Sequence, residues 1–217
     1  WFHRYDNQPN NPSGISQKTI SSIFEDRQGN IWLGTHRSGI NYFNPLMDNF
    51  QFYGDGIPFR DLSYRDVKTF YEDTDGTILI GTDGAGLNSW NRKTDRFSYF
   101  KHSPTDEKSI GSDAVLHIMK DRKGNLWDST WGGGLNLFDR KSGTFKRFVH
   151  DDKRPQSISS NYVWRVFEDS KGNLWVATSY AGLNLFDPKK NSFQKVNWRN
   201  KKDPRIATGR TYYSIEE

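Results

Sequence analysis

Cysteine is absent from the 217 residues, which excludes disulfide staples, thiolate nucleophiles and cysteine-ligated zinc. Aliphatic residues are scarce. The hydrophobic fraction is 33%, and with glycine included the apolar share still falls short of the roughly 45–50% usual in globular domains. Long apolar runs are missing as well. None exceeds the four residues Leu174 to Ala177, against about 20 needed for a membrane-spanning helix. No stretch carries a 3.6-residue period, so helical solenoids are excluded. Thirty-one Lys and Arg against 26 Asp and Glu give a formal net charge of +5. The basic residues are scattered along the chain, without the stripe a nucleic-acid surface needs. What the chain does have is aromatic residues, at 15%, so its core is built from rings.

An internal repeat organises those rings. Asp26-Arg27-Gln28-Gly29-Asn30-Ile31-Trp32-Leu33-Gly34-Thr35 recurs from Asp73, from Asp121 and from Asp169, at spacings of 47, 48 and 48 residues. Each copy continues to a Gly-hydrophobic-Asn triplet ending at Asn41, Asn88, Asn136 and Asn184, and then to Phe50, Phe97, Phe145 and Phe193. Asp to Phe is always 24 residues, so slippage is confined to the connectors. A fixed period in this range marks a repeat architecture.

Each unit reads as four short strands separated by turn signals. In the first, Ile20 to Asp26 and Ile31 to Thr35 flank a tight turn. Gly39 to Asn44 and Asn49 to Tyr53 follow, and a polar connector leads to the next unit. Four strands per roughly 40–50 residues is the pattern of a β-propeller blade. The expected fold is therefore all-β, a propeller fragment with four complete blades at about 20–66, 67–114, 115–162 and 163–210. Residues 1–19 are expected to end a preceding blade and 211–217 to begin a following one, all within one propeller domain that continues beyond the chain. Trp32, Trp127 and Trp175, with Phe43, Trp90, Phe138 and Phe186, are expected as wedges between blades, each costing about 3–5 kcal/mol if truncated.

The units resemble the two-component regulator propeller repeat, whose pattern runs Asp-x-x-Gly-x-hydrophobic-Trp-hydrophobic-Gly-Thr, then Gly-Leu-Asn and an aromatic. Asp169 to Thr178 and Gly182 to Phe186 follow it closely, and the similarity covers essentially the whole chain. The resemblance implies the periplasmic sensor region of a hybrid two-component system from glycan-foraging gut bacteria. It further implies paired seven-bladed propellers, a membrane helix, a cytoplasmic histidine kinase and a dimeric receptor. The ligand it implies is an oligosaccharide from polysaccharide breakdown; no cofactor and no nucleic-acid partner is expected.

Positions identical in every unit are explained by blade geometry, and the repeated Asn residues by structural hydrogen bonds. Ligand selectivity belongs where units differ on one shared face. The loops after the second strand read His36-Arg37-Ser38, Asp83-Gly84-Ala85, Trp131-Gly132-Gly133 and Ser179-Tyr180-Ala181. Beside them, first-strand starts bring Arg65, Asp113, Tyr162 and Arg210. Aromatic rings stack on sugar faces and Arg forks bind carboxylate or sulfate, which suits an anionic oligosaccharide. The candidate ligand set is His36, Arg37, Arg65, Asp83, Trp131, Tyr162, Tyr180 and Arg210, although each taken alone also reads as an ordinary exposed loop side chain. His117 and Arg165 share a first-strand position with Ser22, Thr69 and Tyr213, and a water-filled channel accounts for them.

One departure matters more than Leu79 for Trp or Ala177 for Gly. Asp128 replaces Leu33, Ile80 and Val176 mid-strand. A buried carboxylate there needs a partner, so either a neighbouring Arg, Lys or Thr is expected or a ligand or channel role. The rival readings are a propeller enzyme of polysaccharide lyase or glycosidase type and a protein-interaction scaffold. The five His show no metal spacing, and no His-Glu-x-x-His or Gly-x-Ser-x-Gly occurs, so no catalytic or metal residue is assigned. Asp73-Thr74-Asp75-Gly76 reads as the repeat's own turn, without the terminal Glu of a calcium loop. The rim carboxylates Asp61, Asp66, Asp83 and Asp113 remain the enzyme reading's only candidates.

Overall fold

The computed structural model describes residues 4–7, 14–46, 49–54 and 61–196. Among them are sixteen strands in four antiparallel sheets, each a meander of consecutive strands. The first sheet contains β1 (Ile20–Glu25), β2 (Ile31–Thr35), β3 (Ile40–Asn44) and β4 (Asn49–Tyr53). The second contains β5 (Val67–Glu72), β6 (Ile78–Thr82), β7 (Leu87–Asn91) and β8 (Arg96–Phe100). The third has β9 (Val115–Lys120), β10 (Leu126–Thr130), β11 (Leu135–Asp139) and β12 (Thr144–Phe148), and the fourth has β13 (Val163–Glu168), β14 (Leu174–Thr178), β15 (Gly182–Asp187) and β16 (Ser192–Lys195). These are the blades of a β-propeller. The chain forms two compact units, Trp1–Phe100 and Lys101–Glu217, with two blades in each.

The turn between the first two strands explains the repeated Asp. Asp26 Oδ1 accepts the backbone N–H of Gln28 at 2.9 Å and of Asn30 at 3.0 Å, so the expected strand stops at Glu25 and Asp26 begins the turn. Gly29, at φ 80°, supplies the positive dihedral that other residues adopt at a cost. The second carboxylate oxygen takes the Trp32 indole N–H at 3.0 Å, and Asp121 and Asp169 take those of Trp127 and Trp175 at 2.9 and 2.8 Å. In the second blade Leu79 has no indole N–H to offer, and Asp73 Oδ1 accepts from Thr74 instead.

Trp32 and Trp127 are wedges between blades, as expected, whereas Trp175 is half-buried and belongs to neither core cluster. In the first unit Trp32 meets Trp90 edge-on, with ring centroids 5.3 Å apart, inside a buried cluster with Val67, Ile78 and Ile80. In the second unit Trp127 meets Phe186 edge-on, also at 5.3 Å, beside Val163, Val166 and Val176. Edge-to-face pairs gain about 0.5–1.5 kcal/mol beyond area burial. The inner strands leave little room. A Cβ on Gly34 would clash with Ser22 Oγ and the Val67 side chain, which fits the small residues Gly81, Ser129 and Ala177 at the equivalent positions.

The repeated Asn residues are clamps, as expected. Asn41, Asn88, Asn136 and Asn184 accept the backbone N–H of Ser16, Ser63, Gly111 and Ser159 at 2.8–3.1 Å. Each thereby fixes the connector entering its own blade. Of the expected half-units, residues 4–7 hold no strand, though Tyr5 packs on Phe43 and Phe50; 211–217 lie outside the described residues.

Candidate ligand-binding rim

Alternating strand directions place the loop between second and third strands beside the start of the first strand. Backbone bonds join the two. His36, Asp83, Trp131 and Ser179 donate to the carbonyls of Thr19, Asp66, Ala114 and Tyr162 at 2.8–3.2 Å. Each unit also docks one loop on its second blade: Gly39 donates to Arg65 O at 2.8 Å, and Gly134 to Asn161 O at 2.9 Å.

The second residue of this loop has a positive φ in all four blades: Arg37 69°, Gly84 144°, Gly132 90° and Tyr180 64°. Glycine adopts that region freely, whereas a residue with a Cβ gives up about 1–2 kcal/mol. Arg37 and Tyr180 carry that strain while exposed to solvent. Strained side chains of this kind concentrate at functional sites.

In the first unit the rim is charged. His36 Nδ1 lies 2.9 Å from Asp66 Oδ2, and Lys68 Nζ bridges Asp66 and Asp83 at 3.1 and 3.2 Å. Burial disfavours the Lys68 charge, but the hydrogen bonds its ammonium donates to the two carboxylates outweigh it and raise its pKa. Arg37 and Arg65 are exposed beside this network. In the second unit the rim is aromatic. Trp131 packs on Tyr162 at 4.7 Å and on Trp164 at 5.1 Å. Tyr162 is 42% exposed and Tyr180, on the loop docked to the Tyr162 carbonyl, 71%. The structure thus joins His36 to Asp66, with Lys68 tying in Asp83, and Trp131 to Tyr162; Arg210 and Tyr213 lie outside the described residues.

Two rim residues escaped the sequence reading. Lys68 and Trp164 occupy the extra position of a β-bulge, between Val67 and Thr69 and between Val163 and Arg165. A bulge re-aims its side chain, and nothing in the sequence pattern announces one. Tyr64 was missed too; its ring lies over Gly84, where any Cβ would strike it.

The rim carboxylates are engaged in the fold. Asp61 and Asp113 accept the backbone N–H of Leu62 and His102, each at 2.7 Å, and Asp66 and Asp83 share Lys68. That weighs against a free acid/base pair. Asp75 caps its own turn through Thr77. Among the described residues no cluster of His, Asp and Glu could hold a metal ion.

Asp128 lacks the protein partner that the first of its two readings expected. It is 0% exposed, opposite Ile118 and Asn136, and neither carboxylate oxygen has a protein partner. The expected Arg, Lys or Thr neighbour is not there. Burial pushes its pKa up to about 8, so the group escapes the cost of a buried charge by holding its proton. His117, on β9, is driven to about 4 by burial and then by the Arg165 charge, and is neutral at pH 7.

Residues 14–37 and 157–180 match the family described as two component regulator propeller. Those two stretches carry the two-component regulator propeller repeat. Both matched stretches run from the clamped connector to the strained loop, so the family repeat begins before the blade does. No curated protein matches the chain. Among solved structures it is similar to extracellular domains of two putative hybrid two-component systems from B. thetaiotaomicron. One is 23% identical with a TM-score of 0.60 over 84% of this chain and 30% of that one. The other is 22% identical with a TM-score of 0.67 over 82% and 25%. Virginiamycin B lyase from Staphylococcus aureus is 14% identical with a TM-score of 0.62 over 91% and 60%. The chain therefore spans about a quarter to a third of the two-component domains it matches, and at such identities the likeness concerns the fold.

Proposed function

We propose that this chain is part of the extracytoplasmic, periplasmic sensing region of a hybrid two-component system, and that its loop rim binds an oligosaccharide released by polysaccharide breakdown. Further blades belong to the parent polypeptide, and binding shifts the packing of a receptor dimer to signal to a histidine kinase across the inner membrane. The repeat family and the fold likeness support the system. The observation that carries the ligand is Tyr180, an exposed ring held in a strained conformation on the same rim as the Trp131–Tyr162–Trp164 cluster. Flat rings matched to sugar faces justify strain that the fold itself does not need. Arg37 and Arg65 suit acidic groups on a saccharide.

The test is calorimetric titration of the chain against a panel of neutral and uronic-acid oligosaccharides, with products analysed by chromatography. Trp131→Ala and Tyr180→Ala should each weaken the binding saccharide about tenfold, or about 1.4 kcal/mol. Unchanged affinity in both variants would refute the rim site, and cleavage of the saccharide would replace the sensor reading with the enzyme one.

A further inference from the structure

The second unit holds a cavity of about 400 Å³ away from the rim, between the end of β12, the connector at 153–158 and the start of β16. Its size falls within the range of small-molecule sites. Its walls carry Lys146, Arg147, Lys153, Arg154 and Lys190 and no Asp or Glu, over a floor that includes Phe148 and Phe193; the Arg147 guanidinium is taken up by the Ser109 and Asp106 carbonyls, which leaves the other four. Basic residues scattered in sequence are gathered here by three separate segments.

The acids nearest the cavity offset this charge only in part. Arg154 Nε is paired with Asp151 at 2.6 Å, and Lys190 Nζ reaches Asp187 only at 4.0 Å. Lys146 Nζ donates to the neutral Asn191 side chain at 2.7 Å and lies over the Phe148 ring. Lys153 has no ion-pair partner among the described residues. The repeat provides an internal control. One unit earlier, the positions of Lys146, Lys153, Arg154 and Lys190 hold Ser98, Thr105, Asp106 and Ser142. The earlier blade forms the same sheet, and its connector makes the same backbone latch: Phe145 N–H donates to Lys108 O at 2.7 Å, as Phe193 does to Gln156 O at 2.8 Å. Blade geometry therefore does not require cations at these four positions. Bringing them together costs mutual repulsion in the free protein, which an anion relieves.

We infer that this groove is a second ligand site, independent of the rim, for a compact molecule bearing two or more acidic groups. Lys146 and Lys190 form one pole, Lys153 and Arg154 the other. Sulfate or carboxylate groups on a saccharide and phosphate groups of a lipid headgroup share this chemistry. Titration of the chain with a doubly sulfated disaccharide, its desulfated form and glycerol 1,3-bisphosphate separates the sources. In protein carrying Trp131→Ala and Tyr180→Ala, which silence the rim, the inference predicts binding of at least one charged probe, none of the desulfated sugar, and weakening as salt is raised. The tighter charged probe identifies the source. The triple variant Lys146→Gln, Lys153→Gln, Lys190→Gln should bind about tenfold or more weakly, and Lys153→Glu alone should weaken binding in a protein with an unchanged thermal midpoint. Tyr180→Ala and Trp131→Ala should leave it intact, so failure of the rim reading and of this one are distinguishable. Absence of binding by both charged probes, equal binding of the desulfated sugar, or wild-type affinity in the triple variant and in Lys153→Glu would overturn it.

Discussion

The two ends of each blade obey different rules. At the turn end, three of the four blades repeat the same carboxylate–indole bond at 2.8–3.0 Å. The Trp175 hydrogen bond, with those of Asn173 and Lys171, holds the Asp169 carboxyl down to about 2. At the loop end, backbone placement is equally regular, but side chains run from charged in the first unit to aromatic in the second, two of them on strained backbone. Repetition marks what the blade needs in order to fold. Variation on a fixed frame marks where the fold leaves residue choice free, and strain kept there implies a use other than stability.

The sharpest way to break this contrast is at the turn end. Trp127→Ala removes the wedge against Phe186 and the Asp121 bond together, and should cost about 3–5 kcal/mol in denaturant unfolding. A loss under about 1 kcal/mol would mean that the repeated bond is not what holds the second unit.

Asp128 tests the same contrast inside a strand. Its folded value of about 8 stands above the unfolded value near 3.9. Between those pH values the folded state holds the proton that the unfolded state has lost, so stability falls as pH rises through that window. Asp128→Val, the residue of the fourth blade, should raise the thermal midpoint by about 5 °C near neutral pH, for about 2 kcal/mol regained. The gain should be larger at pH 8 than at pH 5. A pH-independent gain would mean that the carboxyl is ionised when folded.

The smallest effects come from backbone alone. Gly29→Ala has no neighbour within 4 Å to clash with, so only its φ of 80° opposes it, and it should lose about 1 kcal/mol. Tyr180→Gly should gain about as much while weakening saccharide binding. If both changes lower stability equally, Tyr180 makes contacts that offset its strain and the two ends are less different than drawn.

Much of the fold was legible because blade geometry repeats. Asp26, Gly29, Trp32 and Asn41 recur with their partners at fixed offsets, so period and strand order follow from spacing. The clamp partners stand at an equally fixed offset, each 25 residues ahead of its Asn, but the bond is made by a backbone N–H, so the serines at Ser16, Ser63 and Ser159 give way to Gly111 in the third blade and the residue type alone does not mark it. The rim was half legible. Loop positions for Arg37, Trp131 and Tyr180 could be counted, but the left-handed backbone beneath Arg37 and Tyr180 is visible only by analogy with Gly84 and Gly132. The bulges that lift Lys68 and Trp164 leave no sequence mark, since a bulge is a fault in pairing, not a residue type.

The sequence by itself determined the period, the four-stranded unit and the aromatic wedge, because each rests on contacts a few residues apart or one full repeat apart. Only the tertiary structure decided that Asp128 is buried without a partner, that Asp66 and Asp83 share one lysine, and that five dispersed cations line a single groove. Those outcomes depend on how separate segments close on one another, and charge and desolvation act through space with no regard for position along the chain.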